Sequence, residues 1–257
     1  MRKLRIITIA AVAVLALSVA AYAAVVNTYS VTGSTSPTKA GTKKKPVPIK
    51  LTFNYKVGEQ SNQRPSPVKA YKIQFDGLVA NTKPFKSCTA DFINASGGDT
   101  GCNKSAAMGS GNIQAYVGPT NDPSNKSLFC YLALTFYNAG KNHAALYLKG
   151  DPGAADASKK CVTGISQAID ATFVKNSKGT SLNFDVPPTL LHPIAGLDSA
   201  VFNVGSTINK RTAKVKGKTV GFFQSIGGCK KHKRNIAVTF VPETGSPAVA
   251  KTNAKCS

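Results

Sequence analysis

Over residues 49–57 the apolar side chains Ile49, Leu51, Phe53, Tyr55 and Val57 alternate with polar partners. A period of two places every apolar side chain on one face of an extended segment, so the run predicts a half-buried strand and excludes a helix, whose faces repeat every 3.6 residues. The alternation returns in Tyr71, Ile73 and Phe75, in Ile113, Ala115 and Val117, in Leu182, Phe184 and Val186, and over residues 201–208. Residues 129–137 are nearly continuously apolar, the pattern of a strand covered on both faces. Turn chemistry separates these runs: Pro65-Ser66-Pro67, Gly97-Gly98, Asn121-Asp122-Pro123, Asp151-Pro152-Gly153, Pro187-Pro188, Gly227-Gly228 and Gly245-Ser246-Pro247. No helical stripe is sustained, and residues 154–166 are the one candidate for a short helix. Many short strands with Gly and Pro punctuation predict an all-β fold, an antiparallel β-sandwich or jelly-roll-like domain over residues 47–257. Two smaller sandwiches divided near residues 151–153 are the alternative.

Two segments precede that domain. Residues 1–23 carry a basic start (Arg2, Lys3, Arg5), an apolar run over 6–20 interrupted by Thr8 and Ser18, and the small-x-small sequence Ala21-Tyr22-Ala23. These are the parts of a secretory signal peptide cleaved after Ala23. A retained anchor competes with that reading, since the apolar stretch extends to Val26 and a membrane span needs about 20 residues. Residues 24–46 are rich in Ser, Thr, Gly and Lys and end in Lys43-Lys44-Lys45-Pro46, which reads as a flexible basic linker.

The cysteines agree with export to the cell surface or the medium. Six are present, Cys88, Cys102, Cys130, Cys161, Cys229 and Cys256, all beyond the signal segment and none in a C-x-x-C pair. In an oxidising compartment an even set of this kind predicts three disulfides. Short loops close at the least entropic cost, which favours Cys88 with Cys102, Cys130 with Cys161 and Cys229 with Cys256. Cys229-Lys230-Lys231-His232 has a C-x-x-H spacing, but the adjacent cationic side chains would repel a metal ion, and no metal or cofactor is assigned.

Charge is the feature furthest from the ordinary. The 257 residues hold 33 Lys and Arg against 11 Asp and Glu, for a formal charge of +22. Loss of Arg2, Lys3 and Arg5 with the signal segment leaves 30 cationic side chains against the same 11 acids. Two runs concentrate the charge: Lys214, Lys216 and Lys218, which share a face if extended, and Lys230, Lys231, Lys233 and Arg234. A solvated surface that keeps an exported chain soluble is the plain reading; attraction to anionic cell-wall polymers or a lipid surface is the functional one. Specific nucleic-acid recognition is disfavoured because Arg, the bidentate reader of bases, occurs only five times and no recognition helix is visible.

Catalytic signatures are sparse. There is no G-x-S-x-G, no H-E-x-x-H, no G-x-x-x-x-G-K-[ST] and no G-x-G-x-x-G. A hydrolase could still assemble a site from dispersed residues, for instance His192 with Asp185 or Asp198. A non-enzymatic binding protein is the leading reading and that hydrolase the alternative, with no catalytic residue assigned.

Three stretches carry a resemblance. Phe75-Asp76-Gly77-Leu78 leads to Phe85-Lys86-Ser87-Cys88; Cys102 leads to Gly109-Ser110-Gly111, with Asn103 where Pro is usual; and Val186-Pro187-Pro188-Thr189-Leu190 leads to Pro193-Ile194-Ala195-Gly196. Followed by a closing Cys229 to Cys256 segment, they resemble a loose class of uncharacterised exported β-rich proteins of high-GC Gram-positive bacteria. The resemblance implies an exported β fold and implies no activity.

Overall fold

The computed structural model describes residues 25–257; the signal or anchor reading of residues 1–23 lies outside the described residues. Among these, the chain forms the strands β1 (Asn27–Ser36), β2 (Val47–Pro48), β3 (Lys50–Glu59), β4 (Val68–Asp76), β5 (Leu78–Ala80), β6 (Ala107–Pro119), β7 (Leu128–Gly140), β8 (His143–Gly150), β9 (Ile165–Asn176), β10 (Gly179–Asp185), β11 (Leu197–Ile208), β12 (Thr212–Val215), β13 (Lys218–Gly221), β14 (Phe223–Ser225), β15 (Lys233–Pro242) and β16 (Ala248–Lys255), with two short helices, α1 (Ala90–Ala95) and α2 (Pro188–Leu191). The expected all-β antiparallel class is found. Eleven strands make one continuous sheet in the order β1-β3-β11-β6-β7-β8-β9-β10-β4-β15-β16. The sheet curls until its edge strands β1 and β16 lie against each other, so it is nearly a closed barrel. Since an odd number of strands alternates in direction, β1 and β16 run the same way, and no ladder joins them. Just past both strands, backbone bonds from Ala40 N to Ser257 O (2.6 Å) and from Ser257 N to Thr38 O (3.0 Å) tie the seam.

Strand pairing defines two ends. One end gathers Asn27, Glu59, Val68, Pro119, Leu128, Gly150, Ile165, Asp185 and Leu197; the other gathers Ser36, Lys50, Asp76, Tyr137, His143, Asn176, Gly179, Ile208 and Lys233. We call them the α2 end and the plugged end. A small sheet of β2, β14 and β5 closes the plugged end. It brings in Phe222 and Phe223, which meet Phe75, Phe85, Phe136 and Phe173 edge-on, with ring centroids 5.6–6.2 Å apart. Such edge-to-face contacts satisfy the ring quadrupoles while filling space.

Residues 27–36, expected to be part of a flexible linker, are instead strand β1. Of their inward side chains Tyr29, Val31, Gly33 and Thr35 only the first two are large and apolar, too short a run to read as an alternation, yet ten residues pair with β3. The sheet also runs across the proposed division near 151–153, because β8 and β9 on either side of it pair directly. Strand β7 is covered on both faces only at its Tyr137 end; elsewhere its outward residues are partly or fully exposed, including Ala133. At that covered end α1, capped by the Thr89 hydroxyl accepting from Phe92 N, packs a second small core of Ile93, Ala106, Tyr137 and Tyr147 on the outside of the wall. Residues 154–166 hold a single 3₁₀ turn, Ala157–Lys159, and enter β9 at Ile165.

The three disulfides join Cys88 to Cys102, Cys130 to Cys161 and Cys229 to Cys256, the pairing favoured by loop length. They are consistent with an extracellular location.

Candidate functional site

At the plugged end, segments distant in sequence surround a cleft of about 850 Å³. The end of β9 supplies Lys175 and the turn after it Lys178, the loop before β2 supplies Lys43, and the segment entering β15 supplies Lys230, Lys231 and Lys233. Asp76 is the one carboxylate among the lining residues. All six lysines are exposed.

The segment entering β15 is rigidly placed. Lys230 and Lys233 exchange two 3.0 Å backbone hydrogen bonds around Lys231 and His232, both at positive φ (+49° and +59°), a two-residue turn of the I′ kind. Cys229 ties its base to Cys256, and Cys256 N donates to His232 O (3.1 Å). Beneath it, Gly77 (φ +67°) and Gly228 (φ +70°) cross so closely that a Cβ on either would enter the main chain of the other. Only glycine allows this approach in that conformation. The crossing holds the lysine turn over the carboxyl-terminal end of β4. There Asn235 Nδ2 donates to Asp76 Oδ2 (3.2 Å), while Asp76 Oδ1 is buried without a partner.

Arg234 must be separated from its neighbours. It is fully buried and points inward, donating from its guanidinium to Thr35 Oγ1 (3.2 Å), Ser225 Oγ and Gly227 O (3.2 Å). Burial lowers its pKa. It therefore braces β15 against the end of β1 and the loop before Cys229, and offers nothing to an external polyanion. The reason is strand parity: Arg234, Ile236, Val238 and Phe240 share the inner face of β15, while Lys233 and Asn235 face out.

Lys214, Lys216 and Lys218 also depart from the expected single face. The chain reverses at Lys216-Gly217, both at positive φ, between β12 and β13. Lys214 is opposite Thr219 and Lys218 opposite Val215, so the two lysines lie on opposite faces of a hairpin. None of the three lines the cleft.

The dispersed histidine site has a different geometry from that of a nucleophile and its base. His192, directly after α2, places Nε2 2.9 Å from Glu243 Oε1 and Nδ1 3.0 Å from Asp198 Oδ1. Both ring nitrogens thus face carboxylates, an arrangement that favours the imidazolium, in which both donate. The hydrogen bond to Glu243 is the largest influence and raises the His192 pKa; burial opposes it, and the hydrogen bond to Asp198 adds to the rise. Thr120 Oγ1 donates to Asp198 (2.9 Å), and buried Arg64 nearby donates to the carbonyls of Asn125 and Pro119. With Nε2 committed to Glu243, this ring has no nitrogen left to take a proton from a serine. Among the described residues no group of His, Cys, Asp or Glu is placed to hold a metal ion, and Cys229 of the C-x-x-H sequence is in a disulfide.

No family model, no curated protein and no solved structure matches this chain.

Proposed function

We propose that this is an exported protein that binds anionic cell-surface polymers through the lysine cleft at its plugged end. The observation that supports this reading is the convergence of Lys43, Lys175, Lys178, Lys230, Lys231 and Lys233, from three separate segments, on one concave surface with a single carboxylate. Like charges brought together on a fixed frame repel one another, and a bound polyanion relieves that repulsion. A cleft receives a linear chain along its length, whereas a flat bilayer would meet only its rims, so a polymer fits this shape better than a lipid surface. Lysine ammonium groups act as point charges, so recognition follows charge density more than the geometry of each anionic group.

The test compares binding of a polyglycerol-phosphate polymer by the chain beginning at Ala24 and by its Lys175→Ser/Lys230→Ser/Lys231→Ser/Lys233→Ser variant, over a salt series. The unaltered protein should bind at low salt and release as salt rises, because each neutralised phosphate frees condensed counterions. The variant should bind at least about tenfold more weakly with a shallower salt slope. Equal binding by both proteins would remove the cleft from the mechanism, and absence of binding at low salt would overturn the function. Anionic vesicles serve as the competing surface: tighter binding to them than to the polymer would also overturn the reading.

A further inference from the structure

The interior of the curled sheet is not filled along its whole length. Between the aromatic plug and α2 lies an apolar cavity of about 80 Å³, walled by residues of eight strands and by Leu190 and Leu191 of α2. Leu134, Phe136, Leu146, Leu148 and Ile169 form one side of it, and Phe53, Tyr55, Tyr71 and Leu182 the other. No charged side chain lines it among the described residues. The Ser206 hydroxyl is committed to Phe53 O (3.0 Å), and burial raises the pKa values of Tyr55 and Tyr71, keeping both phenols neutral. Apart from these hydroxyls and that of Ser199 the wall is carbon, so the space is suited to an apolar group.

The cavity reaches solvent. Ile113, Phe184, Val186, Ser199 and Val201 line it yet are only half-buried, which marks the mouth. Ser199 is the one polar side chain there. We propose that this interior is a binding site for the alkyl end of a small uncharged amphiphile, whose hydroxyl or carbonyl head stays at the mouth beside Ser199. The absence of a charged partner in the wall selects a neutral ligand, because an ion desolvated there would have nothing to pair with. Size selects a short chain. Dry apolar cavities of roughly 150 Å³ accept benzene or xenon, and a space of about half that volume holds roughly three or four carbons. The lysine cleft is at the opposite end of the sheet, so this site does not depend on it.

The probe is 1-hexanol, with hexanoate as its charged counterpart, titrated into the chain beginning at Ala24 and followed through methyl resonances. 1-Hexanol should shift the Leu134, Leu146, Leu148 and Ile169 methyls saturably, and its terminal methyl should show intermolecular Overhauser contacts to them. Hexanoate should bind roughly tenfold or more weakly. Ala115→Phe, which projects a ring into the space from β6, should abolish the shifts while leaving the fold intact. Should that variant fail to fold, the Overhauser contacts in the unaltered protein decide the matter. Lack of a saturable shift, or contacts confined to exposed methyls such as Val174 and Val249, would overturn the site. Equal affinity for hexanoate would overturn its preference for a neutral ligand.

Discussion

The two ends of the curled sheet solve the same problem differently. At one, β2, β14 and β5 push Phe222 and Phe223 into the opening, and both are completely buried among other rings. At the other, a helix of four residues lays Leu190 and Leu191 over the opening and stops short of filling it. The plugged end is built from the three strands of the small sheet and a disulfide-tied turn, whereas α2 is held chiefly by its contacts with β11 and β4 and by His192 just beyond it. Rigidity and vacancy are thus segregated along one barrel axis. The rigid end can present fixed charges outside, and the loose end keeps space inside.

Substitutions should expose this asymmetry most strongly at the plug. Phe223→Ala removes a completely buried ring that stacks edge-on with three others and should cost about 3–5 kcal/mol in denaturant unfolding. Leu190→Ala, at the margin of an existing cavity, should fall near the lower limit for such truncations, about 2 kcal/mol. Similar losses at both positions would break the comparison. Cys229→Ser with Cys256→Ser opens a loop with a sequence separation of 27 and should cost about 3 kcal/mol. It should also weaken polymer binding by freeing the lysine turn, an effect absent from the corresponding Cys130 and Cys161 pair. Enlarging residues sharpens the contrast in sign. Ala80→Leu overfills the plug and should destabilise by about 1–3 kcal/mol, whereas Ala115→Leu enters vacant space and should be neutral or stabilise by up to about 1 kcal/mol, read as opposite shifts in Tm.

The smallest expected effect is a pH dependence confined to the α2 end. His192 is protonated more readily in the folded chain than its ordinary value near 6.5, with Glu243 and Asp198 facing its ring and Arg64 behind Asp198. The stability contributed is fully present below about pH 6.5 and is lost as pH rises through the raised folded value. Tm should therefore decline over that window, and His192→Gln should flatten the decline. A slope unchanged in the Gln variant would assign the titration elsewhere.

Strand parity made much of this architecture legible. Ile49 and the Leu51 to Val57 alternation of β3, with Tyr71 to Phe75 in β4, are buried as their spacing predicts, and the short-loop rule selected the observed disulfides. Parity also contained the correct placement of Arg234, two residues before Ile236 and four before Val238, but the surrounding lysines outweighed it when the run was read as a block of charge. Strand β1 was hidden because Gly33 and Thr35 end the inward apolar alternation after Tyr29 and Val31, and pairing with β3 supplies what the side chains do not. The cleft itself joins Lys43, Lys175 and Lys230, which nothing local connects. The cavity is further still from sequence, since a void is a property of how rings fail to meet.

The parallel arrangement of β1 and β16 bears on how such a chain keeps apart from its own copies. An unpaired strand edge is a template on which a second copy can extend the sheet, and it is the usual route to aggregation in β proteins. Here the two edges lie against each other, so each one shields the other from intruders without a ladder between them. The lysines of β16, Lys251 and Lys255, add charge along the same line, where an approaching copy would meet its own repulsion. The two parallel edges that meet without a ladder are thereby made harmless, and the seam functions as a guarded border against self-association.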